Sequence, residues 1–295
     1  MNLKNVNFLP LILLFTGTII AQNNQRALAP ISGHYKELAK LNTKPLPDSS
    51  DRKQFPLEGL SPKNALKLLL KPEYLIIPAS DFKVIDFPAN SSAQTKAEIE
   101  FLLKLQKEAR SEEKVKESLE FANVYYNVFV KASDVDYPKM QKNLFHTGRQ
   151  IEGFSPGNLP ITAKLMTKVW SDLTYYFWAL KFKFNRTRPY MIDSRIKNLD
   201  NTNFQAYPSG HASASYAAAF IYQELFPERK KLILKNAYDM GYSREILGVH
   251  FPSDTEAGRV FARQFVNELL KNKAFIKDFE EVKKEINLFK NNPKK

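Results

Sequence analysis

From Lys96 to Leu270 the apolar stretches keep a helical spacing, and prolines stand in the gaps between them. Ile99, Leu102, Leu103, Leu105 and Ala109 recur among the charges of 96–116 at intervals that place them on one side of a helix. The segments 119–135, 161–184, 211–225, 230–247 and 254–270 read the same way, with Pro138, Pro156, Pro189, Pro227 and Pro252 in the breaks. No strand-length alternation or hairpin signal competes with this pattern. The spacing predicts an all-α fold, a single-domain helical bundle. A chain of 295 residues can bury a sizeable core. No linker rich in proline, glycine or serine interrupts 92–275, so that core is expected to be continuous.

The two ends read differently. Lys4 precedes an almost wholly apolar run from Phe8 to Ala21, which gives way abruptly to Gln22-Asn23-Asn24-Gln25. That layout predicts a signal peptide over 1–21 and a periplasmic or secreted mature chain; retention of the run as an anchor is the alternative. Residues 22–95 mix proline with charge and are expected to form an extended N-terminal segment packing on the core, with a short helix near 62–70. Residues 96–275 form the predicted domain, and 276–295 a lysine-rich C-terminal tail. No later stretch reaches the roughly 18 uninterrupted apolar residues of a membrane span.

With no cysteine in the chain, disulfides are excluded. The formal charge of +13 is spread over lysines rather than interleaved with stacking aromatics. It predicts a basic surface that attracts anionic substrates, with peripheral contact to an anionic membrane left open and nucleic acid excluded as a partner.

Four short runs carry the chemistry: Lys181 with Arg188-Pro189, Pro208-Ser209-Gly210-His211, Ser243-Arg244, and His250 followed by Asp254. Arg188 and Arg244 are planar forks that match phosphate oxygens in pairs, and Lys181 is a compact point charge. Ser209 is the expected N-cap of the small-residue helix that follows. The helix start would present free N–H groups and a positive dipole end to an anion. Gly210 lets the backbone come close to it. His211 supplies a proton donor, and Asp254, four residues after His250, can hold the Nδ1 proton and leave Nε2 as a nucleophile.

These residues at these spacings resemble the type 2 phosphatidic acid phosphatase (PAP2) superfamily, which includes class A bacterial non-specific acid phosphatases and vanadium haloperoxidases. The family pattern is Lys, six residues, Arg-Pro; Pro-Ser-Gly-His; then Ser-Arg, five residues, His, three residues, Asp. No motif position departs from it. A weaker likeness to the soluble phosphatases extends back to Phe87-Pro88-Ala89-Asn90-Ser91-Ser92. The resemblance implies a helical bundle of the PAP2/haloperoxidase type and a metal-independent acid phosphatase. His250 would form a phosphohistidine, Asp254 would orient it, and His211 would protonate the leaving group. Lys181, Arg188, Arg244, Ser209 and Gly210 would hold the phosphate.

The resemblance also implies small phosphorylated substrates, no cofactor, and vanadate as an inhibitor or phosphate mimic. Lipid phosphate or polyprenyl pyrophosphate hydrolysis at a membrane face is the second reading, and a vanadium haloperoxidase the third. A homo-oligomer is left open. A charged acid and a neutral nucleophile predict a bell-shaped rate profile with a mildly acidic maximum.

Residues outside the motif are read more plainly. His34 and His146 are expected to be surface or structural histidines. Lys183 and Arg186 are expected to be solvated charges near a helix end. Tyr175, Tyr176, Phe177 and Trp178 are expected to pack in the core, although an aromatic near Lys181 could also line a substrate pocket. The polar stretch from Pro189 to Tyr207 is expected to form a loop at the pocket entrance.

Overall fold

The computed structural model describes residues 33–41 and 46–291, so the expected signal peptide at 1–21 lies outside the described residues. The fold is all-α. Its longer helices are α1 (Gly33–Ala39), α2 (Ala93–Glu108), α3 (Glu112–Ala122), α4 (Tyr137–Leu144), α5 (Pro160–Phe184), α6 (Gly210–Leu225), α7 (Lys230–Ile246), α8 (Pro252–Leu269) and α9 (Lys273–Asn291). Among the described residues the only β pairing is an isolated bridge between Gln54 and Arg186.

The centre of the bundle is α6. Its run of alanine, serine and aromatic residues is apolar on all sides, and nearly every residue from Ala212 to Leu225 is buried. It packs chiefly against α8 and α7. The crossing with α8 is close enough to require glycine: a Cβ on Gly258 would lie 2.8 Å from the Ala212 methyl and 2.8 Å from the Ser209 carbonyl oxygen. That contact sets the second turn of α8 beside the first turn of α6.

Two helices expected from the sequence have other boundaries. The stretch 96–116 is not continuous, because Ala109 ends α2 and Ser111 caps α3 by accepting from the Lys114 amide at 3.2 Å. The segment 119–135 is helical only to Ala122. Asn123 turns its amide back to donate to the Leu119 carbonyl at 2.9 Å. The Val-Tyr-Tyr-Asn-Val-Phe-Val run that follows is β-branched and aromatic, poor in helix formers.

The N-terminal segment is fastened to the bundle by polar anchors. The buried Asp172 of α5 accepts from three successive amides, Glu73 at 2.6 Å, Tyr74 at 2.9 Å and Leu75 at 3.1 Å. Phe55, Tyr74, Leu75 and Phe82 go into the core. At the other end, the lysine-rich stretch from residue 276, read as a tail, is helical through Asn291. Phe275, Phe279, Val282 and Ile286 form a buried stripe while the lysines stay toward solvent. Glu285 accepts from the Ile161 and Thr162 amides at 2.8 Å each, and so supplies the N-terminal cap that α5 lacks in its own sequence.

Candidate active site

Helix ends deliver the motif residues to one place. Lys181 is in the last turn of α5. Asn185 closes that helix in the left-handed region at φ 45°, with its amide on the Lys181 carbonyl. The chain then runs extended through Arg186, Thr187 and Arg188, as the residue before Pro189 must. Ser209 caps α6, its Oγ accepting from the Ala212 amide at 3.3 Å, and its own amide donates to the Asp254 carbonyl at 2.9 Å. Arg244 is in the last turn of α7, and Gly248, at φ +71°, turns the chain toward His250 and the start of α8. The expectation that Ser209 caps a helix holds, and the helix expected from 254 begins at Pro252.

His250 is buried, with Nδ1 3.0 Å from Asp254 Oδ2, and Nε2 is 3.0 Å from Arg188 Nη1. Because the carboxylate only accepts and the guanidinium only donates, Nδ1 carries the hydrogen and Nε2 the lone pair. Burial and then the neighbouring Arg188 push His250 well below its ordinary value, so the ring is neutral. Burial would raise Asp254, yet Arg186, the His250 hydrogen bond and the Phe251 amide hold it down at about 2. Arg186 Nη1 donates to Asp254 Oδ1 at 2.6 Å and to Ser253 Oγ at 2.7 Å, and its Nη2 is 3.6 Å from Glu98. Expected to be solvated, Arg186 is instead fully buried behind the nucleophile.

The motif cations are all buried, and each is held by the protein. Lys181 donates to three carbonyls, Gln205 at 2.8 Å, Ala206 at 3.2 Å and Pro208 at 2.7 Å. Arg188 donates to the Phe204, Gln205 and Val249 carbonyls. Arg244 Nη2 meets Asp200 Oδ2 at 2.5 Å, while its Nε and Nη1 have no hydrogen-bond partner among the described residues. Those two donors of a buried guanidinium are open to an anion.

A cavity of about 510 Å³ opens onto this group. Lys181, Gly210, His211, Arg244 and His250 face it, while Arg188, Ser209 and Asp254 stand behind and are fully buried. A Cβ on Gly210 would make only ordinary contact with the Phe177 ring, at 3.4 Å, so packing alone does not demand glycine there. The loop from 200 to 204 lines the cavity as expected, and Phe177 and Trp178 line it as well as packing inward.

His211 departs from expectation in its charge. Its Nε2 is 3.1 Å from the Ala122 carbonyl, which fixes a hydrogen there and leaves Nδ1 as the variable position. Burial, then Arg244, lower it to about 3, so the ring is neutral in the empty site rather than charged at mildly acidic pH. His146, read as a surface or structural histidine, also lines the cavity; its Nε2 has no partner among the described residues, and burial lowers it to about 4. His34 pairs with Glu245 at 2.9 Å and stacks on Phe101, away from the cavity.

Residues 165–272 match the sequence model of the PAP2 superfamily, a range that contains every motif residue from Lys181 to Asp254. That stretch of the chain is similar to the PAP2 superfamily. Over 110 residues the chain is 36% identical to the non-specific acid phosphatase of Providencia stuartii, a match covering 36% of this chain and 44% of that protein. Over 139 residues it is 31% identical to the non-specific acid phosphatase of Salmonella typhimurium (strain LT2), covering 45% and 56%. The matched region thus spans about half the length of these relatives. Among solved structures, a bacterial vanadium-dependent iodoperoxidase superposes with a TM-score of 0.57 over 81% of this chain and 64% of its own, at 18% identity. That likeness concerns the fold alone.

The sequence pattern places Arg186 among solvated charges and does not single out Glu98 or Asp200. Arg186 had a readable signal, since Arg-Thr-Arg before proline is an extended run that turns both guanidinium groups to one side. Glu98 and Asp200 had none. Each is an ordinary acidic residue until the fold sets it against an arginine.

Proposed function

We propose that this chain is an exported acid phosphatase that hydrolyses phosphate monoesters through a phosphohistidine, without a metal cofactor. The observation that carries this reading is the state of His250, neutral, oriented by a charged Asp254, with its Nε2 lone pair among three buried cations. The names of the acid phosphatase relatives support the reaction class. No described helix is long and apolar enough to cross a membrane.

In this scheme the phosphoryl group lies against Arg244, Lys181, Arg188 and the first amides of α6, which neutralise its oxygens as charge builds in the transition state. His250 Nε2 forms a bond to phosphorus while the bond to the ester oxygen breaks, and His211 Nδ1 gives that oxygen a proton. A water then attacks phosphorus, His211 Nδ1 takes its proton, and the bond to His250 breaks, releasing phosphate. Arg188 gives up its hydrogen bond to Nε2 when it turns to the incoming oxygens. The depressed basicity of His211 in the empty cavity makes proton uptake part of binding, because a bound phosphate dianion offsets the field of Arg244 and favours the imidazolium.

The deciding experiment is His250→Ala assayed on phenyl phosphate with and without a chelator. The expected result is loss of turnover by roughly 10³-fold or more, and a wild type that ignores the chelator. Hydrolysis at the wild-type rate by the variant would reject the mechanism. Vanadate has the phosphate shape and suits the same cations, so it separates the rivals: inhibition of phosphate release without halide oxidation supports the phosphatase. A detergent-dispersed lipid phosphate turned over far faster than phenyl phosphate would move the substrate to the membrane face.

A further inference from the structure

The cavity contains a cation that the motif does not. Lys67 lies on the short turn Leu66–Leu69 of the N-terminal segment, outside the 165–272 match, and lines the same cavity as His211, Arg244 and His250. It is 8% exposed, yet no carboxylate pairs with it among the described residues. The one oxygen it reaches there is Asn64 Oδ1, at 2.8 Å. Its ammonium sits 4.1 Å over the Trp178 ring and 5.9 Å from the Tyr125 ring. Other partly buried lysines are treated differently, Lys168 meeting Asp278 and Lys290 meeting Glu228.

A buried ammonium without a counter-ion is unfavourable, and burial lowers this one to about 8. Among the described residues the three donors of Lys67 meet one acceptor, so the remaining hydrogen bonds are available to a ligand. Its position fixes which part of a ligand it would meet. The 122–125 stretch that lines the cavity begins with the Ala122 carbonyl holding His211 and ends at Tyr125 beside Lys67. His211 protonates the departing oxygen in the proposed reaction. That stretch ties Lys67 to the His211 end of the cavity, the charge of Lys67 is also felt at Lys181, and Trp178 and Phe177 line the same cavity.

We propose that Lys67 is a second anion-binding group, selecting phosphate esters whose leaving group carries its own phosphoryl or carboxylate group beside a planar apolar portion. This rests on the phosphatase reading of the same cavity. Arg244, Lys181 and Arg188 take the phosphoryl group that is transferred, and Lys67 takes the anion that leaves. Lys139, exposed at the rim of the cavity, extends the same positive path outward.

The test compares wild type, Lys67→Met and Lys67→Arg on three esters: phenyl phosphate, 4-carboxyphenyl phosphate and hydroquinone bisphosphate. Methionine keeps the stem over Trp178 and removes the charge; arginine keeps the charge. Lys67→Met should lower kcat/KM for the two doubly anionic esters about tenfold more than for phenyl phosphate, the loss expected for one charge-assisted hydrogen bond. Lys67→Arg should keep the wild-type order of preference. A larger fall on the carboxylate or on the bisphosphate identifies which anion is read. An equal fall on all three esters, or none on any, overturns the proposal. If wild type turns over none of them, the phosphatase reading fails. Calorimetric affinities of the same compounds still decide Lys67, by whether Lys67→Met weakens the doubly anionic ones selectively.

Discussion

Two arginines two positions apart divide the work on the nucleophile, Arg188 touching His250 Nε2 and Arg186 touching Asp254 Oδ1. Arg186 is a positioning residue: it keeps a fully buried carboxylate charged, and that charge holds the His250 tautomer. In Arg186→Met, burial acts on Asp254 without its largest counterweight, so its carboxyl rises from about 2. The sign follows directly. Activity that needs the ionised carboxylate is lost as pH falls through its pKa, so the acid limb of kcat moves to higher pH. At the optimum kcat should fall roughly 10- to 100-fold, and stability by about 3–5 kcal/mol because Asp254 and Glu98 lose their shared cation. Arg186→Lys should restore part of the limb. A variant whose rate drops with an unmoved limb would make Arg186 merely structural. The motif residues were legible in the sequence because phosphate chemistry limits their types and spacing. The charge of His211 was not, since it depends on how many cations the fold gathers around one ring.

At the level of elements, the spacing located most helices because one-sided burial imposes its period on the chain. It failed where capping decides, at Ala109 to Ser111 and at Asn123, since one side-chain hydrogen bond ends a helix whose apolar pattern runs on. It also failed at the C-terminal end, where lysines on the outer side of α9 hid the buried stripe of Phe275, Phe279, Val282 and Ile286. Glu285 makes that helix part of the fold by capping α5 from outside. Glu285→Ala should cost about 1–2 kcal/mol in chemical denaturation, as the loss of a cap does. It should leave kcat at room temperature untouched, because Ile161 and Lys181 are separated by about 30 Å at 1.5 Å per helical residue. Glu285→Gln, which keeps one acceptor oxygen, should lose less. A stability equal to wild type in Glu285→Ala would mean that α5 is capped in some other way.

Across the whole molecule, charge is the property that ties surface to site. The chain carries a formal +13, and among its buried cations Lys181, Arg188 and Arg244 lie close enough that burial and then Arg188, with Arg244, depress Lys181. Folding brings these like charges together with, among the described residues, Asp200 and Asp254 as the carboxylates that offset them, so without an anion the site opposes the fold it belongs to. An anion that binds only the folded state relieves this. Inorganic phosphate at a hundred times its Kd should stabilise the protein by about 2.7 kcal/mol, which for a chain of this length raises Tm by roughly 5–10 °C. Sodium chloride should erode the surface contribution to kcat/KM, since exposed charges are screened within about 10 Å at 0.1 M. It should leave most of the phosphate-induced rise in Tm, which comes from buried groups. A melting temperature indifferent to phosphate would mean that the cradle holds no anion, and the arginines would then need another explanation. A rise abolished by modest salt would place the anion on the lysine-rich exterior rather than in the cavity.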